Sequence, residues 1–208
     1  MSEEQCASQK VVCAVEVASL WERPDDESER ARTTQVVRGE PLSVLQSYGD
    51  WVLVLAAHYS IPGWLRTEFL TQAESNTALW LPQGDQDPLS EARTYLGIPY
   101  VWGGMTHEGI DCSGLVHMAY RAQGRLVPRD ASQQEAAGQP IAWHALQPGD
   151  LITYGKDEQP QEGNATHIAF WLGGGRILHA TRRDDVQAVV EEIEPPHLHA
   201  RRRQAVRF

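Results

Sequence analysis

The stretch that decides the reading runs Gly97-Ile98-Pro99-Tyr100-Val101-Trp102-Gly103-Gly104 and then Gly109-Ile110-Asp111-Cys112-Ser113-Gly114-Leu115-Val116. A glycine-rich approach gives way to apolar residues at helical spacing, Leu115, Val116, Met118 and Ala119, and Gly124 ends the run. Cys112 is therefore expected in the first turn of a helix. There the positive end of the macrodipole and the unpaired backbone N–H groups favour a thiolate and lower the thiol pKa. An isolated cysteine is more often buried and inert, but Asp-Cys-Ser-Gly entering a helix makes Cys112 a candidate nucleophile.

A nucleophilic thiol needs a base, and the base needs a group that orients it. Downstream, residues 165–172 and 176–181 read as two strands joined by Gly173-Gly174-Gly175. His167 and His179 fall on these strands and are expected to be cross-strand neighbours on one face. One imidazole would accept the thiol proton while the other holds its ring. His107 is close to the cysteine in sequence but sits in a turn-like loop, and the remaining histidines lack comparable support.

Working outward, the segment before this region changes character. Val11–Val15, Thr34–Val37, Leu42–Gln46, Trp51–Leu55 and Gly63–Leu65 are short apolar runs separated by Gly, Pro and Asp, with a polar loop beginning at Leu20. Such spacing suggests a small barrel or sandwich over 10–73. Residues 74–87 are polar and rich in turn formers, as in a linker, and 88–208 form a second domain. Pro88 and Gly97 mark a helix between them. The chain of 208 residues has 41% hydrophobic content, enough for packed cores.

Its 28 acidic and 18 basic residues give a net charge of −10, which counts against nucleic acid or an anionic membrane surface as a partner. Arg182, Arg183 and Arg201–Arg203 sit among Asp184, Asp185, Glu191, Glu192 and Glu194 and read as a solvated mixed-charge surface. No run approaches the ~18–20 apolar residues of a membrane span. The start Met1-Ser2-Glu3-Glu4-Gln5-Cys6 shows no secretory signal, so the expected location is cytoplasmic. Cys6, Cys13 and Cys112 are an odd set without metal-type spacing, so neither a disulfide framework nor a zinc site is indicated.

The second domain resembles the NlpC family of papain-like cell-wall peptidases. The likeness rests on Pro99-Tyr100-x-Trp102-Gly103-Gly104, Asp111-Cys112-Ser113-Gly114, Pro128-Arg129-Asp130-Ala131-Ser132-x-Gln134, Pro148-Gly149-Asp150-Leu151, Thr166-His167-Ile168-Ala169 and Ile177-Leu178-His179-Ala180. The resemblance implies an α+β fold, with a thiol-bearing helix on a small antiparallel sheet. It also implies Cys112 as nucleophile, His167 as base and His179 as the third polar residue, acting on murein peptides without metal or cofactor. The first domain is similar to a bacterial SH3-like barrel, through Trp21-x-x-Pro24, Arg38-Gly39-Glu40, Gly49-Asp50-Trp51 and Pro62-Gly63-Trp64-Leu65.

That pairing of domains resembles γ-D-glutamyl-L-diamino-acid endopeptidases that act on peptides with a free N-terminal L-alanine. By that likeness Tyr100, Asp111, Ser113 and Asp130 or Ser132 line the substrate pocket, and Glu29 and Tyr59 are candidates for closing it. Asp111 would meet the substrate ammonium, and the role would be murein peptide recycling. Two other readings remain: an amidase or acyltransferase on a related fold, and a non-enzymatic wall-binding protein.

Overall fold

Short apolar runs between turn residues fold as strands in the computed structural model, which describes residues 10–56, 61–72, 81, 84–156 and 159–208. The chain divides into two units, residues 1–80 and 81–208. Cys6, His58, Tyr59 and most of the expected linker lie outside the described residues.

The first unit contains β1 (Lys10–Cys13), β2 (Val17–Trp21), β3 (Arg32–Val37), β4 (Pro41–Tyr48), β5 (Trp51–Ala56), β6 (Gly63–Arg66) and β7 (Leu70–Gln72). They form one sheet in the order β3-β2-β6-β5-β4-β1-β7, each pair antiparallel. Leu20, Val36, Val54 and Leu65 are fully buried, and Trp21, Ala31 and Trp51 cluster with Trp64. The Trp51 indole donates to Asp25 at 3.0 Å and carries the Arg66 guanidinium 4.5 Å from its ring centre.

Two of these strands are absent from the sequence expectation. The sequence puts Leu20 and Trp21 at the start of a loop, yet Val17-Ala18-Ser19-Leu20-Trp21 is β2, with Ala18 and Leu20 turned inward. Small residues between its apolar positions mask the alternation, and the polar stretch begins only after Trp21. The three-residue β7 has a single apolar position, too little to register as a period.

The second unit opens with α1 (Pro88–Arg93), whose start is set by Pro88 and by Asp87, which accepts the Ser90 N–H at 3.0 Å. Then come β8 (Met105–Thr106), β9 (Gly109–Ile110), α2 (Cys112–Arg121), α3 (Ala131–Ala137), β10 (Gln139–Ile141), β11 (Leu151–Tyr154), β12 (His167–Gly173), β13 (Arg176–Arg182), β14 (Gln187–Ile193), α4 (Pro196–His199) and β15 (Arg202–Arg207). A six-stranded antiparallel sheet runs β10-β15-β11-β12-β13-β14. The β12–β13 turn needs its glycines, because Gly173, Gly174 and Gly175 all have positive φ (87°, 60° and 78°).

The strand period of two gives this sheet two apolar faces. On one, Ile168, Phe170, Leu178 and Ala180 pack with Leu115, Val116 and Ala119 of α2. On the other, Ile152, Tyr154, Ala169 and Ile177 pack with Leu198 of α4. The architecture is mixed α/β, with α2 laid on β12 and β13. No described helix is long and apolar enough to cross a membrane.

Candidate active site

Cys112 is the first residue of α2, and Asp111 is its N-cap, with extended backbone and its carboxylate accepting the Gly114 N–H at 2.7 Å. The same carboxylate accepts the Gly103 N–H at 2.8 Å and two guanidinium bonds from Arg129, at 2.9 and 2.6 Å. Arg129 also donates to Gly104 O at 3.2 Å and to Ser113 Oγ at 2.9 Å. Both ions are buried, so the pair locks the loop before the helix, the helix start and the Arg129 loop into one frame. A Cβ on Gly114 would come within 2.4 Å of Gly104 O, so only glycine permits that approach.

The sulfur of Cys112 faces the backbone N–H groups of Ser113 and Ile168. Ile168 is the second residue of β12, which brings the start of that strand, and hence His167, to the thiol. His167 Nε2 lies 2.8 Å from His179 Nδ1, and His179 Nε2 lies 2.8 Å from Glu192 Oε1. Arg183 holds the same carboxylate through both oxygens, at 2.6 and 3.0 Å. The Tyr154 ring sits against His167, with centres 5.6 Å apart. The β12–β13 register pairs Phe170 with Leu178, so His167 and His179 are diagonal rather than directly opposite neighbours.

The structure also places the remaining expected residues. Tyr100 is half-buried, its backbone N–H bonds Gln187 O at 3.0 Å, and its hydroxyl lies in the field of Cys112 and Asp111. The Ser113 hydroxyl is buried and engaged with Asp111 and Arg129. Asp130 is the N-cap position of α3 but makes no side-chain capping bond, and Ser132 stands half-buried in its first turn. Glu29 lies in an exposed 3₁₀ turn of the first unit. Cys13 is buried and donates to Val15 O at 3.3 Å, a structural setting.

Three expectations need correction. The Asp111 carboxylate does not stand unpaired, because Gly103, Gly114, Ser113 and Arg129 all donate to it. Nor is the thiol lowered. Burial pushes Cys112 up to about 12, with the Asp111 charge next in effect, and these outweigh the N–H groups facing the sulfur. Third, the charged residues near the C-terminus are not all a solvated surface. Glu192 is bound to His179, and Glu194 is buried, with Tyr154 donating to it at 3.0 Å and Arg202 at 2.8 Å.

Burial first, and His179 second, hold the pKa of His167 well below its ordinary value. Both shifts favour the neutral thiol and the neutral imidazole, and a neutral His167 can act as a general base. Among the described residues no cluster of His, Cys, Asp and Glu is placed to hold a metal.

Three outcomes follow from this geometry. Arg129→Met leaves a buried carboxylate without its ion and should lower stability in urea unfolding by about 3–5 kcal/mol. Cys112→Ala should stay within ~1 kcal/mol of the parent, having lost one buried atom. Equal stability of the Arg129→Met protein would contradict the frame. Iodoacetamide alkylation, followed at the Cys112 peptide, should accelerate continuously from pH 7 to pH 10, because a raised thiol pKa releases thiolate only as pH rises. A plateau of high reactivity below pH 7 would instead indicate a preformed thiolate–imidazolium pair.

A match to the NlpC/P60 family covers residues 97–207, more than half of the chain and every residue of the cluster around Cys112. The chain is 34% identical over 135 residues to the gamma-D-glutamyl-L-lysine dipeptidyl-peptidase of Bacillus cereus, across 65% of this chain and 40% of that protein. It is 38% identical over 104 residues to the gamma-DL-glutamyl hydrolase of Bacillus subtilis, across 49% of this chain and 24% of that protein. The matched part thus spans less than half the length of either relative. A crystal structure of an NlpC/P60 family protein from Bacillus cereus shares the fold, with a TM-score of 0.82 at 20% identity over 96% of this chain and 99% of that one. The chain belongs to the NlpC/P60 family.

Proposed function

We propose that this chain is a cysteine endopeptidase that hydrolyses the γ-D-glutamyl–diamino-acid bond of murein peptides bearing a free N-terminal L-alanine. The observation that carries the reading is the buried thiol of Cys112 at the start of α2, facing the N–H of Ile168, the residue after His167 of the hydrogen-bonded pair His167–His179. Nucleophile, base and orienting group are thus gathered in one cluster. Membership of a cell-wall peptidase family supports peptide-bond cleavage, and the names of two relatives both specify γ-glutamyl bonds.

In this mechanism His167 takes the thiol proton as the sulfur attacks the γ-carbonyl. The oxyanion would meet the backbone N–H groups at the start of α2, ahead of the capped Gly114 N–H. The imidazolium then protonates the leaving amine. A water molecule, deprotonated by His167, hydrolyses the thioester and returns the proton to sulfur.

We assign recognition of the substrate ammonium to Asp130 rather than Asp111. Asp130 follows Arg129 directly, makes no capping bond, and has its pKa raised by desolvation. A carboxylate whose partial burial disfavours its charged form is one that an ammonium stabilises. Tyr100 and Ser132 are assigned to the same pocket. We read the first unit as an SH3-like domain, a view supported by its seven short antiparallel strands and its tryptophan cluster. A free alanine amine exists only on peptides already released from the sugar. The proposed role is therefore recycling of released peptides, and the proposed location is the cytoplasm.

Mass spectrometry of products from L-Ala-γ-D-Glu-diaminopimelate, run beside its N-acetylated form, tests the reading. The free tripeptide should yield L-Ala-D-Glu and the diamino acid. Acetylation should lower kcat/KM at least about tenfold, corresponding to ~1.4 kcal/mol, and Asp130→Asn should narrow that gap. Equal cleavage of the acetylated peptide would overturn the substrate assignment, and turnover that leaves the γ-glutamyl bond intact would favour an amidase or acyltransferase.

A further inference from the structure

The cluster contains one carboxylate that the mechanism above leaves without a task. Glu192 lies on β14, whose register pairs Ile177 with Glu192 and His179 with Val190. Glu192 is therefore the diagonal neighbour of His179 on the same face of the sheet. A structural ion pair between Glu192 and Arg183 would need no imidazole. Here one carboxylate oxygen lies 2.8 Å from Nε2 of a fully buried histidine.

An ionised carboxylate can only accept hydrogen bonds. Glu192 is held down to about 2, first by the His179 hydrogen bond and further by Arg183, so it is ionised at any working pH. His179 Nε2 must then carry a proton, and with His179 neutral its Nδ1 is bare. The 2.8 Å contact between His179 Nδ1 and His167 Nε2 requires one proton, which comes from His167 Nε2. His167 Nδ1 is left bare. Without an acceptor at Glu192, His179 could place its proton on Nδ1 and donate to His167 Nε2. His167 would then be protonated at Nδ1 and lose its free position.

We propose that Glu192, braced by Arg183, is a positioning residue that fixes the protonated nitrogen of both histidines and so keeps His167 Nδ1 free for the Cys112 proton. The inference rests on the roles given above to Cys112 and His167, but its spectroscopic signature does not depend on any substrate. It also separates two functions of a carboxylate: Arg183 offsets the charge of Glu192, which leaves hydrogen-bond acceptance as its contribution.

The test uses the full chain labelled with 15N-histidine, in a Cys112→Ala background, and reads the protonated nitrogens by long-range 15N–1H correlation. His167 and His179 should both carry their proton on Nε2. In Glu192→Leu the two should populate mixed tautomers, and with Cys112 restored kcat should fall on the order of 10²-fold at unchanged KM, as for a misoriented reacting group. Glu192→Gln should recover the Nε2–H tautomers and most of kcat, because an amide oxygen still accepts the His179 proton. Unchanged tautomers in a folded Glu192→Leu protein would overturn the proposal, and so would a Glu192→Gln protein as impaired as Glu192→Leu. Should the murein peptides prove not to be substrates, the tautomer measurement still decides the role of Glu192.

Discussion

The carboxylate of Asp111 accepts from Gly103, Gly114 and Arg129, and Arg129 in turn reaches Gly104 and Ser113, so a single buried ion pair joins three segments of chain. Taking two charges out of water costs several kcal/mol per ion, and the cost is tolerated only where nearly every lone pair and N–H finds a partner. That condition is met here. Because the pair is satisfied only in one arrangement, it also sets where α2 begins. Cys112 follows Asp111 directly, and its sulfur is thereby fixed at the edge of the sheet where β12 starts.

The second constraint is the strand period. In β12 and β13 the residues that pack against α2 are Ile168, Phe170, Leu178 and Ala180. His167 and His179 have the opposite parity and share the face of Ala169 and Ile177. The thiol therefore meets β12 at its start, beside the Ile168 N–H, and not at the middle of the sheet. Glu192 belongs to the same parity on β14, and one face thus carries a line of groups from His167 through His179 to the Glu192–Arg183 pair. Burial of the sulfur and of the imidazole favours the neutral form of each.

What the sequence makes legible is local. Asp111 as a cap, the apolar period from Leu115 and the stop at Gly124 are read within one helix. The Gly173–Gly175 turn makes the two histidines near neighbours by chain connectivity alone. Arg129 is different: nothing around it says that it meets Asp111, 18 residues away, because that pairing is made by the fold. Glu192 was equally hidden. Flanked by Glu191 and followed by Glu194, it looks like one charge of a solvated stretch, and only the β13–β14 register reveals it beside His179. The thiol is hidden for a related reason: a helix start favours the anion, while burial and the capping carboxylate oppose it, and burial is a tertiary property.

The central claim is that the frame exists to present Cys112 as a covalent nucleophile. Acid-quenched intact mass spectrometry of the full chain during turnover of L-Ala-γ-D-Glu-diaminopimelate tests it most directly. The account predicts a transient adduct of L-Ala-γ-D-Glu, mapped to the Cys112 peptide and labile to hydroxylamine, as a thioester is. Turnover of that peptide with no adduct at Cys112, or with an adduct on another residue, would contradict it.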